Sequence, residues 1–276
     1  MRGGAGKGDI VGMGIDGHLA ALRRDGDRLA AAAALAGFDA EVLSAPGWRV
    51  RDLVTHTGCV PRWAASYLQA GHAEPRPIDG DGELVMPDGE LLGWFRDGHA
   101  ALVGTFANAD PAVACWTLWR GAPSPLAFWA RRQAHETAVH RHETAVHRVD
   151  AELALAASGQ PGAGTEGERP AVPAAFATDG IDELLTGFYA AAPPRPGSPA
   201  PVALSVRATD ADASWTIRIG PAARTVTQAV EPADCSLVGT AADLYLFLWN
   251  RVGTERLRVD GDPAVLGLWR ELARIT

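Results

Sequence analysis

The stretch His135-Glu136-Thr137-Ala138-Val139-His140-Arg141 is followed at once by His142-Glu143-Thr144-Ala145-Val146-His147-Arg148, inside a run from Leu126 to Ala157 that holds neither Gly nor Pro. The run is rich in Ala, Arg, Glu and Leu, so it reads as one long helix. Residues four apart share a helix face, which sets Glu136 beside His140 and Glu143 beside His147. A heptad falls about 20° short of two full turns. The two Glu–His pairs therefore lie on one stripe, roughly 10 Å apart along the axis. A Glu and a His at this spacing can ligate one metal ion together, but they also occur as plain surface pairs. A third ligand is what separates the two meanings. The HExxH pattern of zinc proteases does not apply, because His135 and His140 are five apart, about 140° round the helix.

Composition narrows the classes. The chain has 276 residues, 47% of them hydrophobic, enough for two domains with sizeable cores. A net charge of −8 argues against a nucleic-acid or anionic-membrane partner. No run of about eighteen apolar residues marks a membrane span. Residues 1–14 are Gly-rich and lack the apolar centre of a signal peptide, so a cytoplasmic location is expected. Cys59, Cys115 and Cys235 are widely spaced and form no CxxC, which suits a reducing compartment.

Taken in order, Asp16 is placed to cap a first helix that runs to about Ala36 and is ended by Gly37. Pro46-Gly47 marks a turn, and Trp48-Arg49-Val50-Arg51-Asp52-Leu53-Val54-Thr55-His56 opens a second helix to about Ala70, with a kink expected near Pro61. Residues 71–88 read as a long crossover loop, and a third helix spans about 89–106. Residues 111–125 are irregular, with one extended piece expected around Cys115 to Trp119. The repeat-bearing helix is the fourth. Four helices with a long middle connection make a bundle, and bundle interiors are where facing helices assemble metal sites. His56, about one and a half turns into the second helix, is placed to supply the third ligand.

Residues 158–175 read as a linker of Gly, Pro, Ala, Thr and Glu. A helix is expected over Ile181–Tyr189. Alternating strands come next, at about 202–207, 214–219, 225–227 and 235–239. Thr240 is placed to cap a helix running to Arg251, a short strand covers 257–259, and Pro263 opens the last helix. The overall class is α+β: a helical bundle over 12–157, the linker, and a small α+β domain over 176–276.

Two sets of residues resemble a known family. Trp48-x-x-x-Asp52-Leu53-Val54-x-His56, together with Glu-Thr-Ala-Val-His-Arg-Val-Asp, is similar to the DinB-like bundle of mycothiol-dependent maleylpyruvate isomerase-type proteins of actinobacteria. Gly239-Thr240-Ala241-Ala242-Asp243-Leu244, Leu248-Trp249-Asn250-Arg251 and Val259-Asp260-Gly261-Asp262 resemble that family's sterol-carrier-like C-terminal domain. The resemblance covers roughly residues 12 to 276. It implies one divalent metal, usually zinc, held by His56 and a Glu-x-x-x-His pair, and a functional arginine at Arg251. It also implies mycothiol as thiol cosubstrate and a small electrophilic substrate. The chain departs from the family in carrying two Glu-x-x-x-His pairs. Phe128 to Arg132 match the family's upstream flank of the pair, and Val149 to Glu152 match its downstream flank, so a seven-residue tandem duplication has pushed the flanks apart. Only one pair can reach His56. Glu136 and His140 are favoured over Glu143 and His147, because the connection from the third helix fixes the upstream end of the fourth, while the downstream end runs into a linker where extra length costs little.

Two imidazoles and a carboxylate leave an open position on zinc, the catalytic arrangement. The resemblance implies an isomerase or S-transferase that activates the mycothiol thiol there, with Arg251 as anchor for a substrate carboxylate. A metal-dependent hydrolase on the same bundle, or a non-enzymatic small-molecule binder, are the alternatives. Asp52 is either a partner of the His56 imidazole or a first-turn acid favoured by the helix dipole. Cys59 reads as a buried free thiol. His135 and His142 point away from the Glu stripe. Trp48 and Trp63 are candidates for the pocket wall.

Overall fold

The structure, a computed structural model, describes residues 13–42, 45, 47–80, 84–119, 122–140, 172–190, 200–220 and 224–272. The chain divides into two compact units, the first holding the described residues 14–140 and the second residues 172–272. The class is α+β, as the sequence pattern implies: a helical N-terminal unit and a C-terminal unit built on a mixed sheet.

The first unit contains α1 (Ile15–Ala36), α2 (Val50–Ala70), α3 (Asp88–Asn108) and α4 (residues 125–140). Helix α1 starts one residue before the expected cap. Gly14 occupies the N-cap without a side-chain bond, and Asp16 sits in the first turn, where the helix dipole favours an acid. Gly37 ends the helix with φ +82, a backbone that suits only glycine well. Helix α2 is continuous through Pro61. Arg62, one residue on, donates from its guanidinium to Gly58 O at 2.7 Å and to Trp94 O at 2.7 Å, with its Cζ 4.1 Å from the Trp94 ring centre. That clasp ties α2 to α3. Residues 111–119 join no sheet; instead of a strand, backbone bonds such as Trp116 N to His72 O (2.7 Å) pin this segment to the loop after α2.

The core between α1, α2 and α3 is made of Leu29, Ala30, Ala33, Val50, Val54, Leu91 and Phe95, all buried. Helices α2 and α4 run antiparallel. His56 meets the Glu136–His140 end of α4, and Trp63, seven residues further along α2, packs against Trp129, seven residues before Glu136, with ring centres 5.1 Å apart. Trp63 also packs on Tyr67 at 5.3 Å. It thus belongs to an aromatic core two turns below His56.

His99 on α3 is buried, with its ring stacked on Phe95 at 5.8 Å and seated against Gly26 of α1, where an added Cβ would collide with the imidazole. Burial lowers its pKa below the usual 6.5, while the Leu22 backbone and the charges of Asp27 and Asp25 act the other way. A base whose folded pKa is depressed binds more protons when unfolded. Its contribution is complete above about pH 6.5 and is lost as pH falls below that value. Chemical denaturation at pH 7.5 and 5.0 should therefore show a larger acid-induced loss in wild type than in His99→Phe. Equal losses would remove His99 as a source of acid sensitivity.

The second unit opens with α5 (Ala174–Asp182), which continues directly into a π-helical stretch, Glu183–Tyr189. The helix begins earlier than expected. Ala174, Ala175, Phe176 and Ala177 are good enough helix formers to carry it past Gly180. Strands β1 (Val202–Ala208), β2 (Ser214–Ile219), β3 (Arg224–Thr227), β4 (Cys235–Gly239) and β5 (Arg258–Gly261) form a sheet in the order β3-β2-β1-β4-β5. All neighbours are antiparallel except β1 and β4. Leu204, Val206, Trp215, Ile217 and Leu237 are buried and share one face of the sheet. Helix α6 (Ala241–Leu248) is capped by Thr240, whose hydroxyl accepts from Asp243 N. Helix α7 (Ala264–Leu272) buries Val265, Leu266 and Trp269.

Helix α6 stops three residues short of Arg251. Asn250 takes a left-handed φ of 60, its N–H reaches Phe247 O at 2.9 Å, and the Arg251 N–H reaches Leu246 O at 2.8 Å. This pair of bonds is a Schellman closure, with Asn in the position usually given to Gly. Arg251 is held just past the helix end, and its Nη1 donates to Trp249 O at 2.8 Å.

Candidate metal centre

The second helix delivers His56 in its second turn, and the start of that helix is firmly made. Asp52 accepts from Arg49 N at 2.7 Å, so this carboxylate caps the helix, the plainer of its two readings. Arg51 bridges Asp39 (2.7 Å) and Asp88 (2.8 Å), tying the α2 start to the preceding loop and to α3. Trp48, just before the helix, lies edge-on to the His56 imidazole with ring centres 5.3 Å apart.

Helix α4 supplies the other side. His140 Nε2 lies 2.9 Å from Glu136 Oε1, and His56 Nε2 lies 3.6 Å from the same oxygen. The two imidazole centres are 5.2 Å apart. One donor atom from each of His56, Glu136 and His140 falls within 4.8 Å of the other two. Ligands at about 2.0–2.1 Å around a tetrahedral zinc are about 3.3 Å from one another, so small side-chain adjustments admit an ion. The donor set of two imidazoles and one carboxylate also fits zinc. The side chains of His56, Glu136 and His140 retain 19%, 23% and 13% exposure, so the group has a face open to solvent.

Arg132 is a member of the site that the sequence did not single out. Its guanidinium is nearly buried, at 3% exposure, and its Nη2 donates to Glu136 Oε2 at 2.7 Å. The signal was available in the i, i+4 spacing of Arg132 and Glu136, the same spacing that pairs Glu136 with His140. Burial pushes the Glu136 carboxyl up. The charges of His140 and Arg132, with hydrogen bonds from His140 and His56, outweigh it and hold the carboxyl well below the usual carboxylate range. The group is thus an anion in place, ready to act as a ligand.

Other candidates fall elsewhere. His135 is fully buried, lies off the Glu stripe, and faces His18 at 6.0 Å between ring centres. Cys59 is buried and, among the described residues, is not grouped with the His56 donor set. Glu143, His147 and His142 lie outside the described residues. Arg251 belongs to the second unit, just past the end of α6.

Comparison with known proteins gives two family-level matches. Residues 19–152 match the mycothiol maleylpyruvate isomerase N-terminal domain, and residues 175–268 match the C-terminal domain of the same family. No curated protein sequence matches. A crystal structure of the mycothiol-dependent maleylpyruvate isomerase superposes with a TM-score of 0.54 at 13% identity, covering 90% of this chain and 93% of that one. At that identity the likeness speaks for the fold.

Proposed function

The chain belongs to the mycothiol maleylpyruvate isomerase family, and on that premise we propose that it is a zinc-dependent enzyme that uses mycothiol to isomerise, or to conjugate, a small electrophilic substrate of the maleylpyruvate kind. One observation carries the reading: α2 and α4 bring His56, Glu136 and His140 together as a partly open donor set. His56 and His140 would hold the ion through neutral Nε2 atoms, and Glu136 would hold it as a carboxylate. A zinc ion held there would lower the pKa of a bound thiol, so that thiolate would be available at neutral pH.

The chain's own groups do the rest. Trp48 makes an edge contact with the His56 imidazole and so helps to hold its ring orientation. Arg132 fixes the Glu136 carboxylate. Thiolate addition to a cis double bond leaves a single bond free to rotate, and elimination returns the thiol and the trans product. Arg251 is assigned the substrate carboxylate, a task suited to a planar guanidinium with two parallel donors.

The test is turnover of a maleylpyruvate-like substrate by zinc-loaded protein, with and without mycothiol. Strict dependence on the thiol is expected. The same rate without thiol would sink the reading, and thiol-independent ester or amide cleavage would favour a hydrolase in its place. Arg251→Lys should keep its zinc but lose roughly 10- to 100-fold in turnover of carboxylate-bearing substrates, the scale of a charge-assisted pair. Wild-type kinetics in that variant would make Arg251 a structural residue.

A further inference from the structure

The two oxygens of Glu136 have different partners. Oε1 faces both imidazoles, at 2.9 Å from His140 Nε2 and 3.6 Å from His56 Nε2. Oε2 faces Arg132 Nη2 at 2.7 Å. The guanidinium is nearly buried at 3% exposure and sits one turn upstream on the same helix, so its backbone anchor is rigid relative to the carboxylate it holds.

We infer that Arg132 is a positioning residue that restricts Glu136 to a single metal–oxygen bond through Oε1 and so keeps a coordination position vacant for the thiol. The inference rests on the metal-site reading above. A carboxylate with two free oxygens can chelate an ion through both. With His56, Glu136 and His140 as the ligands among the described residues, a second oxygen would fill the place that a thiol needs. A guanidinium on Oε2 opposes this, because its 2.7 Å charge-assisted bond would have to lengthen or bend for Oε2 to turn to the metal. It also fixes the plane of the carboxylate, as outer partners of metal ligands do. Arg132 touches neither substrate nor thiol in this scheme. Its effect passes through Glu136.

Cobalt(II) in place of zinc gives a readout independent of turnover, since its visible absorption is several-fold stronger at four-coordinate than at higher-coordinate sites. Wild type should show the strong four-coordinate spectrum. Arg132→Met should still bind cobalt, show a spectrum several-fold weaker, and need at least about tenfold more mycothiol to change it, by the scale of outer-partner substitutions. Arg132→Lys, which keeps one charged donor within reach of Oε2, should recover much of the wild-type spectrum. Identical spectra and thiol titrations in wild type and Arg132→Met would overturn the inference and leave the metal site standing. No cobalt uptake by wild type would overturn the metal reading itself, and this inference with it. Should Arg132→Met lose its helical fold, X-ray absorption at the zinc edge of wild type decides: one carboxylate oxygen at bonding distance supports the role, and two oxygens from one carboxylate refute it.

Discussion

His56→Ala should purify as a helical protein that has lost at least about a hundredfold in zinc affinity and all measurable thiol-dependent turnover. Substitution of outer partners of metal ligands already costs about 10–100-fold, and among the described residues His56 is one of three side chains in the donor group and the one that α2 supplies. Without it Glu136 and His140 remain a pair on one helix, which offers an ion half of a tetrahedral shell. The fold should survive. His56 is partly exposed at the end of the α2–α4 contact, while Trp63, Tyr67 and Trp129 pack those helices together two turns away. Zinc content after dialysis, read beside the far-ultraviolet circular dichroism, checks both halves. Full zinc stoichiometry in the variant would remove His56 from the site.

The second large effect is an asymmetry between the two copies of the heptad. Glu136→Gln and His140→Ala should each reduce zinc affinity by about a hundredfold or more. Glu143→Gln and His147→Ala should change it by no more than about twofold, the scale of an ordinary surface substitution. Distance sets the expectation. Zinc–ligand bonds are about 2 Å long, and a helix continuing through the repeat carries the second pair about 10 Å along the axis. Removing residues 142–148 turns the downstream chain by only about 20°, so the shortened chain should fold and bind zinc as wild type does. Isothermal titration of the four point variants and the deletion provides the comparison. Loss confined to the second pair would show that the downstream flank sets the register, and equal partial loss in both would show that two registers are populated.

The repeat, the run without Gly or Pro and the i, i+4 spacing made the Glu–His face of α4 legible, because helix periodicity alone puts Glu136 next to His140. The partner on α2 was legible only as a candidate. Periodicity places His56 near a helix start, but tertiary packing is what turns it toward α4. Trp63 shows the limit of that kind of reading. It lies on the same helix as His56, seven residues on, and packs into the aromatic core with Trp129. Asp52 was ambiguous by spacing, and the backbone N–H three residues upstream shows it capping the helix. Arg132 was legible only as part of the family-like flank Phe128 to Arg132, and its guanidinium, nearly buried against Glu136, shows a contact that the flank match did not announce. In the second unit, strand alternation located the sheet well, but strand order depends on pairing at a distance, and no local signal announced the parallel β1–β4 contact. The early end of α6 arises from Asn250, whose tolerance of left-handed backbone allowed a Schellman closure inside a stretch that otherwise reads as helical.

Crystals of the full chain loaded with zinc, with anomalous scattering measured on both sides of the zinc absorption edge, test the central claim most directly. The account predicts one strong zinc peak per chain, at bonding distance from His56 Nε2, His140 Nε2 and a single oxygen of Glu136. A peak held by Glu143 and His147, or no peak beside His56 in crystals that hold zinc elsewhere, would contradict it.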